Sequence, residues 1–315
     1  MAGQIWSTDT LGGYLYSDEL STILRTAMQP MFRFQNYCDA RDGTQKKLNS
    51  GDKFYWDATT KVVTKGKVLA EQDLVQETNF TISQKSLTLV QAANSVPYTS
   101  LLDNYSKIPI TNIIHQTLAD DANDVQEDQA YAQFDATPLR VTPTSGTSPD
   151  SITLETGGSA TATNNVAMSN EHVKAILDEM KERDIPTYDG VDYRCIGRPK
   201  TFRPFKNDLE GIHHYVETGF GMVLRGEVGK HYDGCRFVEQ TGIANAGWTN
   251  AKSDEAFFFG KDTVINAVVI PVEIRGKIPG NFGLDKGFAW YWLGGYGLVH
   301  TIASQARVVK WDSAA

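Results

Sequence analysis

Three aspartates spaced four residues apart form the clearest chemical pattern in this sequence. Asp120, Asp124 and Asp128 fall within a segment of helical periodicity, so one helix face would carry all three carboxylates, as a metal or acid–base site requires. No histidine or turn glycine completes a coordination loop around them. Like charges at this spacing are also typical of a solvated helix face, which is the interpretation we favour. A metal-dependent hydrolase centred on this trio remains the least favoured hypothesis.

The histidines do not combine into a metal site. His213 and His214 are adjacent, whereas paired ligands on a helix are usually three or four residues apart. His172, His231 and His300 have no carboxylate or cysteine at ligand spacing, which favours ordinary surface or core histidines.

The glycines do not form a phosphate-binding motif. Gly219, Gly221 and Gly226 lack the GxGxxG spacing, and the sequence contains no GxxxxGK[ST], GxSxG or HExxH motif. We therefore predict a protein that is not an enzyme, with no catalytic residue, metal or cofactor.

The composition also limits which classes of protein the chain can belong to. The chain has 315 residues and a formal net charge of -8, which argues against a surface that clamps nucleic acid through its phosphates. Cys38, Cys195 and Cys235 are far apart, so we expect reduced, buried thiols. The sequence shows no signal peptide and no apolar run of membrane-spanning length, so a soluble cytosolic product without membrane contact is expected.

Residues 51–92 predict a long two-stranded arm. Phe54 and Trp56 mark the first strand, and Phe80, Ile82, Leu87 and Leu89 mark the second. An isolated hairpin is marginally stable in water, so the arm should lie on another surface, most naturally that of a partner subunit. Simple solubility of an exposed hairpin is the alternative explanation for its charges. The subunit-contact candidates are Phe54, Trp56, Lys61, Lys65, Lys67, Glu71 and Asp73.

The remaining elements frame this arm. A helical stripe over 107–134 predicts a spine about 40 Å long. Residues 136–167 predict short strands with exposed loops, and Ser169 caps a second long helix. A short helix over 18–29 precedes the arm, and the last third of the chain is mostly strand.

This order of elements resembles the Hong Kong 97-type major capsid protein of tailed phages. The hairpin in this order begins with GDKFYW at 51–56. More narrowly, local phrases are similar to those of the N4-like podovirus group: MKERDIP at 180–186, FKNDL at 205–209, GCRFV at 234–238 and FFGK at 258–261. The resemblance implies an α+β fold. It also implies five segments: an N-terminal arm at 1–47, an E-loop hairpin at 48–95, the first part of the P-domain with the spine helix at 96–167, an α/β A-domain at 168–256 and P-domain return strands at 257–315.

The resemblance also implies a function. The chain would be a major capsid subunit that assembles in the host cytoplasm into hexamers and pentamers of an icosahedral virion shell, enclosing double-stranded DNA without reading its sequence. Expected partners are further copies of the chain, a separate scaffolding protein, a portal protein and a decoration protein, and we predict non-covalent assembly. The alternative is the shell of an encapsulin-like cellular nanocompartment, which gene neighbourhood would distinguish.

Overall fold

The computed structural model describes residues 32–42, 52–59, 66–106, 108–144, 147–148, 150–158, 166–213, 230–243 and 255–313. Four α-helices lie in these ranges: α1 Ser100–Tyr105, α2 Ile110–Asp135, α3 Asn170–Glu182 and α4 Pro199–His213. No helix among these residues is long and apolar enough to cross a membrane. The predicted helix over 18–29 lies outside the described residues.

Thirteen strands are described, and they form three sheets. The strands are β1 Asp39–Asp42, β2 Lys53–Thr59, β3 Ile82–Thr88, β4 Val90–Thr99, β5 Leu139–Pro143, β6 Ile152–Glu155, β7 Tyr193–Gly197, β8 His231–Tyr232, β9 Cys235–Glu239, β10 Ala256–Phe259, β11 Val264–Gly276, β12 Asp285–Leu298 and β13 Val308–Trp311. The sheet orders are β1-β11-β12-β4, β6-β5-β13-β10-β7-β9-β8, and β2-β3.

The spine helix α2 packs on the four-stranded sheet. Its buried apolar residues recur mostly at intervals of four, so they form one stripe that meets β4, β11 and β12. They are Ile110, Ile114, Leu118, Ala122, Ala130 and Phe134. The predicted spine over 107–134 is thus confirmed, with its first turn beginning at Ile110 because Pro109 occupies the N-cap.

Strand β10 joins the two cores. Its side chains alternate across the seven-stranded sheet, as a pleated strand requires. Phe257 and Phe259 enter the core shared with α2, whereas Phe258 enters the core covered by α3 and α4. All three are fully buried, because helices or the second sheet cover both faces of this strand.

The structure draws several boundaries differently from the predicted segments. β4 pairs with β12 from Val90↔Gly294 to Thr99↔Asp285, so residues 90–95 of the predicted E-loop segment belong to the four-stranded sheet. β1 pairs with β11, which builds residues 39–42 of the predicted N-terminal arm into the body. β10 lies between β13 and β7, and β13 lies beside β5, so one sheet contains strands of both the predicted P-domain and the predicted A-domain.

Candidate interaction surfaces

The base of the arm lies on the chain's own body. β2 and β3 pair antiparallel from Lys53↔Thr88 to Thr59↔Ile82. Their inward side chains, Phe54, Trp56 and Leu87, form a small core with Ile265, Ala267 and Val299. The arm is therefore seated within one chain at its base.

Two glycines of β12 allow this close seating. A Cβ added at Gly295 would lie 2.7 Å from Cδ1 of Leu87 and 3.0 Å from the carbonyl oxygen of Thr88. A Cβ at Gly297 would lie 3.2 Å from the ring of Trp56. Any larger residue at these positions would push the hairpin away from the sheet.

The tip of the arm, residues 66–81, has no cover within the described part of the chain. Every residue in it is exposed, and it has no regular secondary structure apart from one turn at Glu71 and Gln72. Five large apolar residues are exposed: Val68 is 98% exposed, Leu69 42%, Leu74 88%, Val75 74% and Phe80 71%. So many exposed apolar side chains in one short segment indicate an interaction surface.

The predicted contact residues lie in different parts of the arm. Phe54 and Trp56 are partly buried against their own chain, and their contact with a partner subunit stays a prediction. The two-residue period of the strand turns both rings towards the body. Lys61 and Lys65 lie outside the described residues.

The other three candidates lie in the exposed tip. Lys67 forms a 3.3 Å ion pair with Asp73 inside the arm, and Glu71 stands in the turn between them. Exposed pairs of this kind add little stability. The apolar tip residues were not among the predicted contacts, although their alternation with charged residues was visible in the sequence.

The aspartate trio lies on the outer part of α2. Asp124 and Asp128 are exposed and Asp120 is partly exposed. Partial burial and the neighbouring Asp124 charge raise the pKa of Asp128. Across the described residues, no group of three histidine, cysteine, aspartate or glutamate side chains could hold a metal ion.

Glu127, on the same helix as the three aspartates, is buried. Its carboxylate accepts hydrogen bonds from the backbone N–H groups of Arg33, Phe34 and Gln35 at 2.6, 2.9 and 3.2 Å. Nε2 of Gln240 donates a further bond at 2.9 Å. One carboxylate thus ties the spine helix to the N-terminal segment and to the residue that follows β9.

A second buried charge cluster holds β13. Nζ of Lys310 lies 2.9 Å from Oε1 of Glu255, and the hydroxyl of Tyr131 donates to Oε2 of the same carboxylate. Arg140 pairs with Asp312 at 2.9 Å. Burial raises the pKa of Asp312, although Lys310 and Arg140 oppose the shift. These side chains hold one another in place.

Two of the histidines, His172 and His231, have defined partners. His172 completes the capping box of α3 with Ser169. His231 lies 3.2 Å from Asp192, whose other carboxylate oxygen accepts a 2.7 Å bond from Arg236, so a carboxylate partner exists that spacing did not reveal. His213 is the last residue of α4. His214, Gly219, Gly221 and Gly226 lie outside the described residues.

The three cysteines are free thiols. Cys195 and Cys235 are buried and Cys38 is partly buried. Burial raises the pKa of all three thiols, which keeps them protonated and unreactive. Cys195 and Cys235 are packed as small apolar groups, as predicted, whereas Cys38 is only partly buried.

Sequence comparison identifies no relative: no family profile and no curated protein matches this chain. Comparison with solved structures finds chains of similar fold. A chain of the cyanophage Pam1 capsid asymmetric unit is 15% identical and superposes with a TM-score of 0.68, covering 100% of this chain and 99% of that one. The capsid of Ralstonia phage GP4 gives 12% identity and a TM-score of 0.66, covering 95% of each chain.

A third match extends the range of particles. The capsid of a native GTA particle is 14% identical, with a TM-score of 0.59 and coverage of 96% of this chain and 97% of that one. The chains superpose over almost their whole length although few residues are identical. Such matches show a shared fold rather than a close evolutionary relationship. The chain therefore has the α+β fold of tailed-phage capsid proteins, as the Hong Kong 97-type resemblance predicted.

Proposed function

We propose that this chain is the major capsid subunit of a tailed phage, a structural protein that assembles with copies of itself into the virion shell. The observation that supports this most strongly is the match over the whole chain to capsid subunits, which includes the arm as well as the core. The phage particles among the matches favour a viral shell over a nanocompartment. Membership of the N4-like group remains a prediction from the local phrases.

The arm supplies the physical reason for assembly. Its base is fixed on β12 while its tip exposes Val68, Leu74 and Phe80, so the chain alone leaves this surface in water. Burying such side chains against a neighbour would stabilise the contact by about 1.5–3 kcal/mol each. We assign subunit contact to this tip, with Lys67, Glu71 and Asp73 setting its orientation through charge.

Further partners follow from the proposal. Hexamers and pentamers would form the shell in the host cytoplasm, with a separate scaffolding protein and a portal protein. A decoration protein is a further expected partner. Packaged double-stranded DNA would touch the inner surface without sequence readout, consistent with the net charge of -8.

Electron microscopy tests the proposal. The full chain, produced together with its neighbouring genes, should yield closed shells that sediment far ahead of the monomer. Chains that stay monomeric under every assembly condition would contradict it. Denaturing gels of intact particles should show the monomer band, because assembly is proposed to be non-covalent, and a ladder of very large species would contradict that part alone.

A further inference from the structure

Lys310 is the one lysine or arginine that is buried in the described part of the chain, with 3% of its surface exposed. Its Nζ lies 2.9 Å from Oε1 of Glu255, which is also buried, and 2.5 Å from Oδ1 of Asp135. The ring of Phe257 lies 5.8 Å from the same atom. Because desolvation of buried charges offsets much of their attraction, such a cluster is weak evidence of a purely stabilising role. An amine enclosed with two carboxyl groups is also the set of groups from which an amide bond forms.

Rigid elements hold the three groups together. Asp135 is the last residue of α2, and Lys310 lies in β13. The register pairs Phe257 with Lys310, so Glu255, two residues before Phe257, faces the same side. Tyr131, one turn before Asp135 on α2, donates a 2.8 Å hydrogen bond to Oε2 of Glu255. The groups are therefore positioned by the fold before any reaction, which lowers the entropy lost in bond formation.

Arg140 places a positive charge beside the Asp135 carboxyl group. One terminal nitrogen of its guanidinium lies 3.9 Å from Oδ1 of Asp135 and donates to the backbone oxygen of that residue at 3.2 Å. The other terminal nitrogen pairs with Asp312, which holds the guanidinium in place. Negative charge that develops on the carboxyl oxygen under attack by an amine would be stabilised by this cation. The side chain of Asp135 is 40% exposed, so a leaving water molecule has a path to solvent.

We propose that Lys310 and Asp135 become joined by an amide bond, which the folded chain forms by itself with Glu255 as general acid and base. The bond is a single self-modification of each chain and not a turnover reaction. It joins two residues of one chain, so it is compatible with non-covalent assembly between subunits. The inference goes beyond the proposed shell function and does not depend on it.

The step is a condensation that releases water. Glu255 carries one proton from the Lys310 ammonium group to the Asp135 carboxylate, which leaves a neutral amine beside a neutral acid. Nζ then attacks Cγ, an N–C bond forms, and the electron pair of the C=O bond moves to the oxygen beside Arg140. Glu255 carries a second proton from the nitrogen to the hydroxyl group, the C–O bond breaks, and water leaves as the C=O bond re-forms. Glu255 ends in its starting state, and the net charge stays at -8 because one cation and one carboxylate are lost together.

Proximity favours the condensation. An amine and a carboxylic acid that are free in water rarely condense, whereas groups held in contact can react as if present at about 10⁵–10⁸ M. Lys310 and Asp135 are 175 residues apart along the chain, so the bond closes a long loop. Such a link restricts the unfolded chain and should raise the Tm of the subunit.

Mass spectrometry of the denatured full-length protein tests the bond. The wild-type chain should be lighter than its sequence by one water molecule. Trypsin should fail to cut after Lys310, because its amine is acylated, and the peptide that begins at Val308 should stay joined to peptide 108–140, which contains Asp135. A wild-type mass equal to that of the sequence would overturn the proposal.

Substitution of either partner identifies the linked residues. Lys310→Arg keeps the positive charge and Asp135→Ala removes the carboxyl carbon, so both variants should have the full mass of their sequences. Lys286→Met is the matched control, because Lys286 forms a 2.9 Å ion pair with Asp103 at the surface, and this variant should lose one water molecule as the wild type does. A loss of water that persists in Lys310→Arg would overturn the proposal, because the change then lies at another site.

Glu255→Gln separates the acid–base role from folding. The amide oxygen can still accept the hydrogen bond from Tyr131, but the side chain cannot carry a proton, so the linked fraction at a fixed time after synthesis should fall at least about tenfold. A thermal melt should show a cooperative transition at a lower Tm than that of the linked wild type. A folded Glu255→Gln variant that is linked as fully as the wild type would overturn the role of Glu255. These readouts are made on single chains, so failure of the shell proposal would leave them unchanged.

Discussion

The backbone N–H of Phe34 donates a 2.9 Å hydrogen bond to Oε1 of Glu127, which lies 93 residues further along the chain. The ring of Phe34 is itself fully buried, 5.3 Å from the ring of Phe134 and 5.7 Å from that of Phe257. The N-terminal segment is thus joined to the spine helix by polar and apolar contacts at one point. Residues that are distant along the chain are therefore neighbours in the core.

Replacing Glu127 should destabilise the subunit strongly. Glu127→Ala leaves three backbone N–H groups and the Gln240 amide without their buried acceptor, which should cost about 3–5 kcal/mol in free energy of unfolding. Glu127→Gln retains one acceptor oxygen and should cost less. Denaturant unfolding measures both.

The neighbouring aspartate supplies the matched control. Asp124→Ala, three residues away on the exposed face of the same helix, should change the free energy of unfolding by less than about 0.5 kcal/mol. Similar losses for Glu127→Ala and Asp124→Ala would show that the hydrogen bonds of Glu127 do not contribute as argued.

Removing the glycine beneath the arm should unseat the hairpin. At Gly295 a Cβ would stand 3.0 Å from the backbone oxygen of Thr88, which cannot rotate away as a side chain can. Gly295→Ala should therefore cost about 1–3 kcal/mol and speed amide hydrogen exchange in β2 and β3.

The control for this variant is Gly276→Ala in the exposed part of β11. The nearest atom to its new Cβ is 3.9 Å away on Phe288, an ordinary contact distance. Unchanged exchange rates in β2 and β3 of the Gly295→Ala variant would contradict the role of the glycine seat.

Elements with a strong hydrophobic period could be predicted from the sequence, but the strand pairings that assemble the sheets could not. The stripe from Ile110 to Ala122 and the strand signal of Phe257–Phe259 both identify their elements, since period alone decides such cases. Nothing local indicates that β10 lies between β13 and β7, because its partners are tens of residues away.

Buried roles of charged residues cannot be identified from the sequence. Glu127 reads as one more acid in a run of exposed acids, yet its donors come from residues 33–35 and 240. Phe54 and Trp56 show the same limit for apolar residues, since the sequence reveals their alternation but not which surface they meet. Burial of both kinds depends on distant partners that a local pattern cannot specify.

Making the arm tip polar should weaken assembly without weakening the subunit. Leu74→Ser and Phe80→Ser remove side chains that are 88% and 71% exposed, so the free energy of unfolding should stay within about 0.5 kcal/mol of wild type. Particle yield should fall at least about tenfold, because each lost contact is worth roughly 1.4 kcal/mol or more. Sedimentation and thermal melts measure the two effects.

A neutral change at a neighbouring position is the control for the tip. Gln76→Ser alters an exposed polar residue and should assemble as the wild type does. If Phe80→Ser lowers the Tm as much as it lowers particle yield, the residue acts within its own fold and the contact proposal loses its support.

His172 should make subunit stability depend on pH. Its Nδ1 accepts the N–H of Ser169 at 3.0 Å, which the protonated ring cannot do. Burial lowers the pKa of His172, although Glu171 and Asp208 oppose the shift. Because the unfolded chain then binds a proton more readily than the folded one, stability is full above about pH 6.5 and falls as pH drops below it.

His172→Gln keeps an acceptor at the same helix position and does not titrate. Its Tm should match the wild type at pH 8 and drop less between pH 8 and pH 5, with the remaining drop including His300, whose pKa burial also lowers. Equal drops in the two proteins would show that protonation of His172 does not open the capping box.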